Sequence, residues 1–149
     1  MINNISSEYS SNKTLERQFL NVRSFPEGIR NCYNLKPSSG DVKFLIRARF
    51  MYGNYDGQNI IPSFSLLLEA DVWDSVNLKD ASGIVTKEII HAPKKNYMYV
   101  CLVNTGSGTP FISALELRPL KNSTYETQSG SLLLCGRWDE GSGTSEAVR

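Results

Sequence analysis

Apolar and polar side chains alternate with a period of two through most of the middle of this chain. In VKFLIRARFMY, residues 42–52, Val42, Phe44, Ile46, Ala48, Phe50 and Tyr52 fall on one side, while Lys43, Arg47 and Arg49, with Leu45 and Met51, fall on the other. That is the mark of an antiparallel strand with one face buried and one face wet. Phe64, Leu66 and Leu68 repeat the period in SFSLLLEA, and Val76 and Leu78 continue it in WDSVNL. TKEIIH (86–91) and YMYVCLV (97–103) follow, separated by the turn-forming Ala92-Pro93-Lys94-Lys95-Asn96. PFISALELRPL (110–120) closes the series with Phe111, Leu115 and Leu117 on one face. With a weaker segment at Gln18–Ser24, the pattern predicts about seven or eight short strands between Gly, Pro, Asn and Asp clusters, and no long helix. The predicted fold class is all-β: an antiparallel β-sandwich whose interior holds Phe44, Ile46, Phe50, Leu66, Leu68, Leu115 and Leu117.

At 149 residues the chain has the length of one domain, enough to bury roughly two thirds of its unfolded surface. The pattern divides it into a disordered N-terminal segment over 1–14, a sandwich over 15–134, and a disordered tail over 135–149. That tail, CGRWDEGSGTSEAVR, is rich in Gly and Ser and has Trp138 as its one large apolar residue. Sixteen basic and fifteen acidic side chains nearly cancel and form no block of like charge, which removes nucleic acid and anionic membrane from the partners the chain calls for. No stretch approaches the roughly 20 apolar residues of a membrane span, and MINNISSEYSSNKT lacks the apolar centre of a secretory signal. Three N-glycosylation patterns point the other way, at Asn4, Asn12 and Asn122. A piece of a longer secreted or membrane protein reconciles the two.

Little in the chain supports catalysis. His91 is its one histidine, too few for a Ser-His-Asp triad or a histidine-based metal site, and is expected to be a solvated strand-end residue. Asp56, Asp71, Asp74, Asp80 and Glu88 show no spacing that pairs two carboxylates. Asn104-Thr105-Gly106-Ser107-Gly108-Thr109 has the glycines of a phosphate loop without its lysine or its following helix, and reads as a hairpin loop. The reading is no enzyme, no metal and no cofactor. Three cysteines, Cys32, Cys101 and Cys135, allow one disulfide and one thiol left over. A Cys32–Cys101 bridge and two buried free thiols both remain open from the residues alone.

One loop asks for more than a turn. In MYGNYDGQNIIP, residues 51–62, Tyr52 and Tyr55 are large aromatic groups with a polar end, and Asn54 and Asp56 supply directional hydrogen-bonding groups. The structural reading makes Tyr52 core and Asp56-Gly57 a turn. The functional reading makes Tyr55 a stacking platform, Asn54 and Asp56 partners for hydroxyls or peptide amides, and Trp73 a neighbouring aromatic.

FPEGIRNCYNL from Phe25, FLIRARFMYGNYDG, EIIHAP, YVCLVNTGSGTPFISALELRPL and YETQSGSL together resemble the extracellular malectin-like domain of plant leucine-rich-repeat receptor-like kinases, in order from about Arg17 to Leu134. The resemblance implies a lectin-like β-sandwich on the extracellular side of the plasma membrane. It implies a cell-wall glycan or secreted peptide as ligand and a sister malectin-like lobe or co-receptor as partner. The alternative is a structural lobe that packs on such a partner and meets no diffusible ligand. It also favours the Cys32–Cys101 bridge, with Cys135 free or paired elsewhere. Two departures are expected: the family's first strand is missing ahead of Asn12, and LLLCGRWDEGSGTSEAVR ends the lobe in an unrelated tail.

Overall fold

The computed structural model describes residues 1–37, 43–121 and 131–133. In chain order the strands are β1 (Ile2–Asn4), β2 (Asn21–Ser24), β3 (Arg30–Leu35), β4 (Lys43–Phe50), β5 (Ser63–Leu68), β6 (Asp71–Asn77), β7 (Val85–His91), β8 (Met98–Ser107), β9 (Phe111–Ile112), β10 (Ala114–Leu120) and β11 (Ser131–Leu133). Helix among the described residues is confined to a four-residue α1 (Ser7–Ser10) and a 3-10 turn at Arg17–Phe19.

Every pairing is antiparallel. Two four-stranded sheets run β3-β8-β5-β6 and β10-β4-β7-β11, and a small third sheet runs β1-β2-β9. The alternation seen in the sequence places the core. Phe44, Ile46, Ala48 and Phe50 of β4 share one buried cluster with Phe64, Leu66 and Leu68 of β5 and Met98, Val100 and Leu102 of β8, so the two large sheets face each other. Leu115 and Leu117 of β10 pack on its margin, half-buried. Phe50, Phe64 and Phe111 meet edge-on with ring centres 5.7 to 6.2 Å apart.

The outward face of β4 is not uniformly polar. Arg47 pairs with Glu88, its cross-strand neighbour on β7, but Leu45 lies opposite Ile90 and both are almost wholly buried outside the main core. The predicted final strand is broken at Ser113. Its amide donates to Arg49 O at 3.0 Å and its hydroxyl accepts from Met51 N at 3.1 Å. The chain thereby leaves the small sheet, where Phe111 faces Ser24, and joins the large one, where Leu115 faces Ala48.

Several expectations need correction. Residues 1–14 are not disordered: β1 pairs with β2, Ser6 N donates to Gly53 O at 2.8 Å, and Ile5 is buried in the core. The segment therefore also supplies a strand ahead of Asn12. Its polar composition conceals the single apolar anchor and the backbone pairing that fix it. Gln18–Ser24 is part 3-10 turn and part strand, and β3 and β11 are strands that the alternation does not predict. Cys32 on β3 and Cys101 on β8 stand directly opposite and are bonded, with Cα atoms 4.0 Å apart. Asn122, Cys135, the end of the lobe at Leu134 and the tail 135–149 lie outside the described residues.

Candidate functional site: the loop end of the sandwich

Three segments far apart in sequence are tied together at Gly53. Its amide donates to Ala81 O at 2.7 Å, and its carbonyl accepts from Ser6 N at 2.8 Å. Its φ of +51° suits glycine, and a Cβ there would stand 2.6 Å from Ile5. The N-terminal segment, loop 51–62 and the β6–β7 connection therefore meet at one end of the sandwich. The β8–β9 connection joins them through Tyr55, whose hydroxyl donates to Thr109 O at 3.3 Å.

The loop is folded by its own polar groups. Tyr52 is fully buried, and its hydroxyl donates to Asp56 Oδ1 at 2.5 Å with Asn54 Oδ1 at 3.2 Å. Asn59 N donates to Asn54 Oδ1 at 2.9 Å and Gln58 N to Asp56 Oδ1 at 3.2 Å. Asn54 and Asn59 both take positive φ, 48° and 56°, a conformation asparagine tolerates better than most residues. The Tyr55 ring lies 5.5 Å from that of Tyr52 and 5.4 Å from that of Phe111, leaving it half-buried. Burial, reinforced by the neighbouring Asp56, pushes the pKa of both phenols far above the ordinary tyrosine value.

Of the five residues named for ligand contact, Tyr52, Asn54, Tyr55 and Asp56 do gather, but Tyr52 offers no open face. The outer rim is Asp56, Gly57, Gln58, Asn59 and Ile60, all exposed. Trp73 is not brought to the loop. It is 7% exposed and lies in the core on β6 near the β5–β6 hairpin, whereas the loop enters the opposite end of β5 at Ser63. A near-alternating strand pattern cannot say at which end of a sheet a residue falls, and the bulge between Leu66 and Leu67 turns Trp73 inward.

Beside the loop runs a groove of about 320 Å³ that the sequence did not announce. Tyr9, Leu15, Met51 and Ile84 give it apolar walls, and Glu8, Asn12, Thr14, Glu16 and Ser82 give it polar ones. Arg49 holds Glu16 in place with two parallel hydrogen bonds, 2.9 and 3.0 Å, and lies 4.6 Å over the Phe19 ring. Asp80, at the same end, accepts from Ser82 N and Oγ, and those bonds hold its carboxyl below the usual range. Asn4 sits on β1 and Asn12 on the groove wall, both exposed. His91 lies elsewhere, half-buried on β7 with Nδ1 2.7 Å from Ser131 Oγ. Among the described residues no three His, Cys, Asp or Glu side chains gather as metal ligands, and no helix is long and apolar enough to cross a membrane.

Fold and loop end together define an antiparallel sandwich that presents a preformed polar loop and an amphipathic groove on one side. The chain belongs to the malectin-like family: the family model for the malectin-like domain matches residues 1–149. It is 55% identical over 141 residues to a putative leucine-rich repeat receptor-like protein kinase of Arabidopsis thaliana, covering 94% of this chain and 16% of that protein. A probable LRR receptor-like serine/threonine-protein kinase of the same plant is 44% identical over all 149 residues, again with 16% of that protein covered. Residues 135–149 are thus not foreign to the family, contrary to the expectation of an unrelated tail. The chain spans about a sixth of the length of these relatives. Among solved structures, a chain from the crystal structure of plant peptide RALF23 in complex with FER and LLG2 has the same fold, with TM-score 0.62 at 11% identity over 82% of this chain and 33% of that one.

Proposed function

We propose that this chain is the recognition lobe of a plant receptor-like kinase, displayed on the extracellular side of the membrane, and that it takes a secreted peptide or a cell-wall glycan at its loop end. The observation that carries the reading is the construction of loop 51–62. Tyr52, Asn54 and Asp56 spend hydrogen bonds inside the loop and fix its shape, leaving Gln58, Asn59 and the outer edge of Asp56 as a rigid polar rim beside the partly open ring of Tyr55. A rim held rigid before binding loses little entropy on contact, which is how a shallow polar surface gains affinity. The neighbouring fold is described in a complex of a peptide with FER and LLG2, which supports a peptide as the first ligand class to try and a co-receptor as a further partner. All 149 residues belong to the malectin-like match, so the reading gives this chain no kinase activity.

The rival reading is a lobe that packs on a sister lobe without a diffusible ligand. The deciding experiment screens secreted peptides and cell-wall oligosaccharides against the chain and against a Gln58→Ala/Asn59→Gly variant, glycine being the residue that keeps the positive φ of position 59 without strain. The expected result is a binder that loses at least tenfold in affinity on the variant while the melting temperature is unchanged. A screen with no binder, together with tight association of the chain with the adjoining lobe, favours the rival.

A further inference from the structure

The groove wall contains a modification pattern whose polar atoms are divided in a particular way. Asn12 Oδ1 accepts from Thr14 N at 3.0 Å and from Thr14 Oγ1 at 2.7 Å, while Asn12 Nδ2 has no partner among the described residues. Because a carboxamide is planar, engaging its oxygen on Thr14 turns the nitrogen away from that residue. Asn12 is exposed, so the nitrogen is open to solvent. Tyr9, Leu15 and Ile84 supply apolar surface beside it, and Glu8 and Ser82 supply hydrogen-bonding groups. An aromatic ring with a few directed polar groups suits an N-acetylhexosamine, which has an apolar ring face, an acetamide methyl and hydroxyls. The Asn4 pattern is built differently. Asn4 lies in β1 opposite Asn21, Ile5 is sunk in the core, and Ser6 N is bonded to Gly53 O.

We propose that Asn12 carries an N-linked oligosaccharide whose first N-acetylhexosamine lies in the groove against Tyr9, Leu15 and Ile84. Asn12 Nδ2 forms a bond to C1 of the first sugar of a polyprenyl-diphosphate-linked oligosaccharide. The C1–O bond to the diphosphate breaks, polyprenyl diphosphate leaves, Nδ2 gives up one proton, and nothing is oxidised or reduced. The inference rests on the extracellular placement proposed above and is independent of any ligand at the loop rim.

The test directs the full chain through a eukaryotic secretory pathway behind a cleavable leader. Peptide N-glycanase digestion in ¹⁸O water then converts each modified asparagine to labelled aspartate, located by peptide mass mapping. Label at Asn12 and none at Asn4 is expected, and secreted protein with Asn12 unlabelled overturns the assignment. For the seat in the groove, an endoglycosidase trims the glycan to one sugar. The trimmed protein is compared with two sugar-free references, the glycanase product and Asn12→Gln, of which the second is neutral. The trimmed form should melt several degrees above both, and Tyr9→Ala should abolish that gap while Tyr9→Leu preserves part of it. Equal melting of trimmed and sugar-free protein overturns the groove seat. Loss of peptide or glycan binding at the rim bears on neither result.

Discussion

Gly53 lies so close to Ile5 that a methyl group on its Cα would stand 2.6 Å from both Ile5 Cβ and Cγ2. That approach docks the N-terminal segment on the sandwich, and its φ of +51° adds a second reason for glycine. Gly53→Ala is therefore expected to lower stability by about 1 to 3 kcal/mol. Urea unfolding followed by Trp73 fluorescence measures it, and an unchanged midpoint would show that the segment shifts aside at no cost.

Tyr52→Phe removes the hydroxyl that faces Asp56 and Asn54 while leaving the ring in place. The expected loss is about 1 kcal/mol, the net worth of a buried hydrogen bond, together with weaker ligand binding through a loosened rim. Tyr55→Ala cuts into the ring cluster with Phe111 and should cost more in stability than Tyr52→Phe. Thermal melting of both variants ranks them, and the opposite order would refute the packing argument.

The fork between Arg49 and Glu16 fixes one wall of the groove. Glu16 is 57% exposed, so solvent screens the pair and Glu16→Ala should cost no more than about 1 kcal/mol. Arg49→Lys loses both the two-pronged geometry and part of the contact with Phe19, and should cost more than Glu16→Ala. A double-mutant cycle isolates the pair, with a coupling above about 2 kcal/mol as the refuting outcome.

His91 gives a clean pH handle because it is the one histidine. Burial lowers its pKa below the ordinary imidazole value, and the charge of Glu69 only partly opposes this. The unfolded chain therefore takes up the proton first. The contribution to stability is full above about pH 6.5 and is lost as pH falls through the lower folded value. Imidazole NMR resonances across that range should give a midpoint below that of an unstructured peptide, and a midpoint above it would reverse the sign.

Where burial and period agreed, the sequence was legible. The alternation in β4, β5 and β8 located the two sheets and the core residues Phe44, Ile46, Phe50, Leu66 and Leu68, because a one-residue slip would have turned each of them to solvent. β3 was harder. Arg30, Asn31, Cys32 and Asn34 leave only Tyr33 and Leu35 as an apolar signal, since an edge strand held by a disulfide needs little more. The first fourteen residues hid one buried isoleucine among polar neighbours. Loop 51–62 was conspicuous, but its composition could not tell hydrogen bonds kept within the loop from those offered to a partner. The groove was invisible for a further reason: it is assembled from residues 8 to 84 by contacts that only the folded chain makes.

The bond between Cys32 and Cys101 also sets a timetable. Among the described residues β3 has β8 as its one neighbour in the sheet, and the two cysteines are 69 positions apart. At ordinary translation speeds the second follows the first by about 3 to 14 s. On the extracellular placement proposed above, Cys32 passes that interval without β8 or Cys101 to pair with. On that placement, biosynthesis of this lobe passes through a stage at which a wrong partner, from another nascent chain or a small thiol, is closer at hand than Cys101. The yield of correctly joined protein then depends on how quickly the first mistake is undone.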